Sequence, residues 1–196
     1  LNKINFHFMN GTFSEGLYLV KEIEEGVLRY EKKIDDNRIL NFYYKIGCLF
    51  FGSGDNKMAI LYLGKVINHQ VHIRNDIHGF ALILNLIAHY ELGNTEMVQY
   101  QIKSVFRFLS KLEEMNQVQQ HIINFLRKVP LMDAKNVKNE FIKLRTNLIK
   151  LQQDPYEKRA FLYLDIISWL TCKIENRSIQ DVMKEKALNK SKIPHD

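Results

Sequence analysis

Histidines and a nearby aspartate are the first candidates for chemistry, because they could bind a metal. His69 and His72 stand three residues apart, and Asp76 follows four residues later. A zinc site needs a third ligand held close to such a pair. This pair spans a predicted joint between two helices. The two imidazole rings are therefore not expected to lie on the same face of one helix. We therefore expect ordinary histidines, no bound metal and no cofactor.

Two cysteines and one unusual aspartate are the candidates for catalysis. Cys48 and Cys172 lie in apolar helical segments with no adjacent base, so both are expected to be packed, free thiols. Asp165 interrupts an apolar run and is either a catalytic acid or, as we favour, a residue at an exposed edge or in an ion pair with the preceding helix. No phosphate-loop, dinucleotide-binding or hydrolase motif is present. We predict a protein that is not an enzyme.

Helical periodicity dominates the elements that must position these residues. After Asn94, apolar residues recur at alternating spacings of four and three, at Val98, Ile102, Val105 and Leu109. Such spacing places them on one stripe of a helix. The 3 prolines and 9 glycines are too few for the turns of a β-sandwich or barrel. We predict an all-α fold with helices over residues 1–9, 13–33, 37–52, 55–69, 74–92, 95–114, 116–129, 133–152, 155–175 and 179–188.

An internal repeat is the most informative feature of the chain. Three segments contain an aromatic residue and then a turn that closes on a glycine, and these glycines, 11, 54 and 93, are 43 and 39 residues apart. Small or aliphatic residues follow each glycine at the same spacing: Gly16, Val20 and Ile23, then Ala59, Leu63 and Val66, then Val98, Ile102 and Val105. Because one helix hairpin cannot bury its apolar face alone, stacked hairpins are expected to share the core.

The second copy, residues 40–73, resembles a tetratricopeptide repeat (TPR). The family pattern of aromatic, Leu, Gly, aromatic, Ala, aromatic and Ala is matched by Tyr43, Ile46, Gly47, Phe50, Ala59, Leu63 and Val66. The resemblance extends in part to residues 8–30 and 79–112 and is weak beyond about 115. The whole sequence also looks like the C-terminal part of uncharacterised bacterial TPR-like proteins, which implies no activity. The resemblance implies a right-handed superhelix of antiparallel helix hairpins, a TPR-like α-α solenoid.

The same resemblance implies a binding groove. In TPR arrays the first helices of the hairpins line a concave groove that holds extended peptides, often through Asn, Lys and Arg. We therefore expect a protein–protein interaction scaffold that binds a peptide or protein segment. The predicted peptide-binding residues are polar positions on the first helices of the second and third copies: Asn41, Tyr44, Lys45, Asn85 and His89. Strict repeat alignment favours Phe80, Ile83, Ile87 and Tyr90 in the third copy, so the polar stripe and the repeat register disagree there.

The charge distribution leaves an alternative function open. The net charge is +6, and the whole excess lies in residues 121–196, with 15 Lys/Arg against 9 Asp/Glu, whereas residues 1–120 contain 13 of each. A basic helical-repeat nucleic-acid binder is therefore one alternative. Lys outnumbers Arg 20 to 8, and Arg is the residue that favours bidentate base and phosphate recognition. We thus expect a protein or peptide partner and not a nucleic acid.

The predicted domain organisation is one helical repeat array over residues 1–188. Repeat-like hairpins occupy residues 1–114, closing helices occupy 115–188, and a flexible basic tail follows over 189–196. Trp169, Phe161 and Leu164 are expected to be buried in the closing helices, which act as the end cap that a solenoid requires. A regulatory module of a larger protein is the second alternative function.

The first copy is incomplete, because its first helix has only the residues before Asn10. This is expected to expose Ile4, Phe6 and Phe8, and it indicates a fragment of a longer protein. No apolar run is long enough to cross a membrane and no signal peptide is visible. With two cysteines and no expected disulfide, a cytoplasmic location is predicted.

Overall fold

The computed structural model describes residues 1–30, 33–69, 74–111 and 115–191. These residues form α-helices joined by short turns, with one 3-10 turn and no strand, which confirms the predicted all-α class for this part of the chain. The helices are α1 (Asn2–Asn10), α2 (Phe13–Gly16), α3 (Leu19–Arg29), α4 (Asp36–Ser53), α5 (Asn56–Ile67), α6 (Asn75–Glu91), α7 (Thr95–Lys111), α8 (Gln117–Lys128), α9 (Ala134–Leu151), α10 (Ala160–Tyr163), α11 (Ile166–Glu175) and α12 (Ile179–Ser191). Within these ranges no helix is long and apolar enough to cross a membrane.

Local sequence signals set most of the helix ends. The side chains of Asp35, Asp55 and Asp133 each accept a hydrogen bond from the backbone N–H three residues later, and so cap α4, α5 and α9. The predicted turn glycines 11, 54 and 93 all have positive φ, at 64°, 91° and 72°. This left-handed conformation ends α1 and α4 and favours glycine because it has no Cβ.

The helices stack in chain order around one main core. Each helix from α4 to α9 packs against the next, and α6 also touches both α4 and α8, its alternate neighbours in the stack. The repeat positions Ala59, Leu63, Val66, Val98 and Ile102 are all buried in this core. The repeat pattern in the sequence therefore marks the residues on which neighbouring helices pack.

The chain returns on itself at its C-terminal end. Helix α12 packs against α1 and α4, and Gln180 accepts a hydrogen bond from the Ser14 N–H at 2.8 Å. Helix α1 therefore packs in a second core cluster that includes Leu19 of α3, Ile46 of α4 and Met183 of α12, so Ile4 is only 1% exposed and Phe8 is half-buried. The expectation that both would be exposed is wrong, and only Phe6, at 61%, is as exposed as predicted.

The predicted helix over residues 13–33 is interrupted. Helix α2 ends at Gly16 and α3 begins at Leu19. Gly16 packs directly on the His7 ring, since an added Cβ would lie 2.8 Å from His7 Cγ. Glycine also weakens a helix interior, so the chain turns where this close approach occurs. Residues 31 and 32 lie outside the described residues.

The predicted helix over residues 155–175 is also broken. Residues 155–159 form turns, α10 has only four residues, and Leu164 is extended with φ −139° and ψ 117°. The break lets the Asp165 side chain accept from the Ser168 N–H and start α11 as a separate helix. Trp169 and Leu164 are 1% and 7% exposed, which confirms their predicted burial, whereas Phe161 is only half-buried. Helix α12 continues to Ser191, and residues 192–196 of the predicted tail lie outside the described residues.

Candidate functional site

The inner face of the stack, formed by α4, α6 and α8, is covered by α10 and α11 of the same chain. Tyr44 of α4 donates its hydroxyl hydrogen bond to the Tyr163 carbonyl at 2.9 Å. The Tyr163 ring stacks on Phe80 of α6, with centroids 5.0 Å apart. Trp169 meets Phe125 of α8 edge-on at 6.2 Å. Each helix of the inner face thus holds an aromatic residue against the returning segment.

Charged pairs fasten the same segment at two further points. The Trp169 indole donates to Glu91 at 2.7 Å, and Lys173 pairs with the other oxygen of Glu91 at 2.9 Å. Asp165 pairs with Lys186 at 2.6 Å. The predicted ion pair of Asp165 therefore exists, but its partner lies on the following helix, α12, and not on the preceding one.

The predicted groove residues of the second copy lie on or beside this covered face. Tyr44 is 1% exposed, and burial raises the pKa of its hydroxyl, which keeps that group a hydrogen-bond donor. Tyr44 thus differs from the expectation that it presents an open surface. Lys45 is half-buried, with its ammonium 4.9 Å from the centre of the Phe8 ring. Asn41 is half-buried on α4.

The predicted groove residues of the third copy face another way. Asn85 is buried and its amide donates to Gln101 of α7 at 3.3 Å. His89 Nδ1 lies 3.2 Å from the Asn94 amide nitrogen in the turn before α7, and partial burial lowers the pKa of His89. The polar stripe of α6 therefore points toward α7, whereas Phe80, from the strict repeat alignment, stacks on Tyr163 of the covering segment. The structure does not bring the five predicted residues together in one site.

An open polar pocket lies at the N-terminal end of the covering segment, where α10 begins. It has a volume of about 580 Å³ and lies between the first residues of α6 and α8 and the turns before α10. Its walls combine amides, two tyrosines, an ion pair and an apolar floor: Asn75, Asp76, Phe80, Leu109, Asn116, Gln119, Tyr156, Arg159, Ala160 and Tyr163. We call this set the polar pocket.

Asp76 organises the polar pocket. Arg74 makes two hydrogen bonds to its carboxylate, at 2.8 and 2.9 Å, and the Tyr163 hydroxyl donates to it at 2.5 Å. Burial alone would raise the pKa of the Asp76 carboxyl, but these hydrogen bonds outweigh burial and hold that pKa well below its usual range. Asp76 is therefore an ionised anchor at neutral pH and is unsuited to proton transfer.

Arg159 is the side chain that Asp76 holds at the edge of the pocket. Its guanidinium lies 3.6 Å from Asp76 and 3.4 Å from the Tyr163 hydroxyl, and the side chain is 73% exposed. Most of its five N–H donors therefore remain open to a bound carbonyl or carboxylate. Tyr156, which is 92% exposed, stands beside it as an uncovered aromatic surface.

Glu157 ties the turns of the pocket to α8. It is 6% exposed, and its two oxygens accept from the Gln117 N–H at 3.0 Å and the Val118 N–H at 3.2 Å. The next amide, that of Gln119, is capped by Asn116. All of the first three N–H groups of α8 are thus satisfied. The local sequence does not indicate this role, because the run Asp154-Pro155-Tyr156-Glu157 is typical of a helix start with a capping aspartate and an acidic third residue.

The thiols lack the surroundings of reactive groups. Cys48 and Cys172 are both free and buried, and burial raises the pKa of each thiol to about 11. In the part of the chain that the structure describes, no three His, Cys, Asp or Glu side chains are grouped closely enough to hold a metal ion. The polar pocket is therefore the candidate functional site, and its features are those of a binding surface.

Comparison with known proteins finds no family model that matches this sequence, and no curated protein or solved structure is significantly similar to it. The TPR resemblance accordingly stays a prediction. Most residues of the polar pocket were missed by sequence analysis. The one local signal was Arg159 four residues before Tyr163, a spacing that places two side chains together on a helix.

Proposed function

We propose that this chain is a non-enzymatic interaction scaffold of TPR-like helix hairpins, arranged as a right-handed superhelix, which binds a peptide or protein segment at the polar pocket. The partner engages this pocket because α10 and α11 already cover the inner face around Tyr44. A cytoplasmic location belongs to the proposal, since a reducing compartment suits two free, buried thiols.

The observation that carries the proposal is the Arg159 guanidinium, positioned by Asp76 and Tyr163 at the edge of an open pocket. Such an arrangement recognises a carboxylate or carbonyl group of a bound segment. The side-chain amide of Asn75 offers both a donor and an acceptor, and that of Asn116, whose oxygen caps α8, still offers its N–H donors, which suits a peptide backbone. A pocket of about 580 Å³ with an apolar floor falls in the range of small-ligand and peptide sites.

A displayed library of random peptides, selected on the purified chain, tests this function. A selected peptide is synthesised with a fluorophore, and its Kd is measured by anisotropy. We expect Arg159→Gln and Tyr156→Ala each to weaken binding by about tenfold, since each removes an anchor of the bound segment.

Helix α7 offers matched control variants outside the pocket. Arg107→Gln and Tyr100→Ala remove the same kinds of side chain from exposed positions, where Tyr100 is 82% exposed. Both controls are expected to bind the peptide like the unaltered chain. If no peptide binds with a Kd below about 1 mM, or if the pocket variants bind as well as the controls, the proposed function is wrong.

A further inference from the structure

The basic residues of the C-terminal half fall into two groups, those that pair with a carboxylate and those that do not. In the C-terminal elements, five cations are paired with carboxylates: Arg159 with Asp76, Lys173 with Glu91, Arg177 with Glu175 and Glu185, Lys184 with Glu15, and Lys186 with Asp165. On α9 the situation differs. Lys135, Lys138 and Lys150 are exposed, and no carboxylate of the described residues lies within 4.0 Å of any of them. Lys128 and Lys158 are unpaired by the same measure, and Lys143 of α9 pairs with Glu140, but α9 still carries three unpaired lysines on one helix.

The same side of α9 also carries apolar surface. Phe141 and Leu148 face the core, whereas Ile142 and Ile149 are 41% and 42% exposed. Seven residues separate the two isoleucines, so they lie on one line along the helix. Lys135 and Lys138 lie at the N-terminal end of this line, and Lys150 lies one position beyond Ile149, on the flank of the line. The span from Lys135 to Lys150 is about 22 Å at the α-helical rise. We call Lys135, Lys138, Ile142, Ile149 and Lys150 the α9 basic face.

We propose that the α9 basic face is a docking surface for an acidic amphipathic helix of a protein partner. Leucine-type side chains of that helix cover Ile142 and Ile149, while its Asp and Glu residues pair with Lys135, Lys138 and Lys150. A partner helix with apolar residues seven apart matches the spacing of the two isoleucines. The surface contains no residue of the polar pocket, so this interaction is separate from peptide binding there.

Charge and composition disfavour the other occupants. A second copy of the chain, docked α9 against α9, would place lysines against lysines, and this repulsion opposes self-association. A nucleic acid would leave Ile142 and Ile149 against phosphates, and Arg145, the arginine of α9, already donates to Thr171 at 3.3 Å. A lipid surface needs apolar side chains that project into it, and both isoleucines are more than half covered.

The test uses a fluorescein-labelled helical peptide with Leu at heptad positions a and d and Glu at most others. We expect saturable anisotropy binding to the full chain with a Kd of roughly 10 to 100 µM. The triple variant Lys135→Gln, Lys138→Gln and Lys150→Gln should weaken binding at least tenfold. The double variant Ile142→Ser and Ile149→Ser should do the same, with helix content checked by circular dichroism.

A control variant separates this surface from general attraction to basic protein. Lys57→Gln, Lys103→Gln and Lys111→Gln remove the same charge from exposed positions on other helices and should change the Kd less than twofold. A peptide of identical composition with scrambled order should bind at least tenfold more weakly. Equal binding by both lysine variants, equal binding of the scrambled peptide, or tighter binding of duplex RNA or phosphatidylserine vesicles would overturn the proposal.

Discussion

Glu157 offers the sharpest test of how the C-terminal segment is held. Its buried carboxylate accepts two hydrogen bonds from the first turn of α8, 39 and 40 residues away in the chain. Hydrogen bonds to a charged group contribute about 1.5 to 3 kcal/mol each. Some of this is regained in Glu157→Ala when water reaches the partly buried Gln117 N–H. We expect Glu157→Ala to lower the free energy of unfolding by about 2 to 4 kcal/mol.

Glu157→Gln keeps one acceptor oxygen and the side-chain shape, and it removes the charge that favours the N-terminus of α8. We expect a smaller loss of about 1 to 2 kcal/mol. Urea unfolding followed by circular dichroism gives both values. The fluorescence of Trp169, the single tryptophan of the sequence, follows the undocking of α11 in the same titration. For a chain of this size the Ala variant should also lower the Tm by roughly 5 to 15 °C.

Glu96→Gln is the matched control, because Glu96 is an exposed carboxylate in the first turn of α7. Its loss should cost at most about 1 kcal/mol, as for any exposed acid at a helix N-terminus. If Glu157→Ala costs no more than Glu96→Gln, the long-range cap described above does not stabilise the fold, and our reasoning is refuted.

Three further predictions test packing, electrostatics and thiol burial. Gly52→Ala should destabilise the protein by about 1 to 3 kcal/mol, because the new Cβ would lie 2.4 Å from Phe13 Cδ1. Gly26→Ala has open space around it and should stabilise the protein by up to about 1 kcal/mol. Equal effects of the two variants in urea unfolding would contradict this prediction. The hydrogen bonds that lower the pKa of Asp76 stabilise the folded chain. This stabilisation is complete above about pH 4, near the pKa of an aspartate in the unfolded chain. It is lost as the pH falls through the lower pKa that Asp76 has in the folded chain. The unaltered chain should therefore lose more stability than Asp76→Asn between about pH 5 and pH 2, as measured by unfolding at each pH. Cys48 should react with a disulfide reagent only as fast as the chain opens, because burial raises its pKa to about 11; a rate matching that of a free thiol would show that it is accessible.

The sequence by itself determined the helices and most of their ends. Apolar spacing, capping aspartates and turn glycines act within a few residues, so they can be read from a short window. Gly54 and Gly93 take the left-handed conformation that the repeat predicts, and the Ser178 hydroxyl caps the Asp181 N–H as its spacing indicates. The burial of Trp169 also followed from local composition.

Only the tertiary structure decided what faces the inner surface and where the candidate site lies. Tyr44 contacts Tyr163, 119 residues later, and Asp76 contacts Tyr163 across 87 residues. No local pattern encodes such pairings, because they depend on how the last helices return across the stack. The carboxylate of Glu157 likewise accepts from the first N–H groups of α8, which lie 39 and 40 residues earlier in the chain. The polar pocket takes its Tyr156, Arg159 and Tyr163 walls from turns and a short helix that replace the helix predicted over residues 155–175.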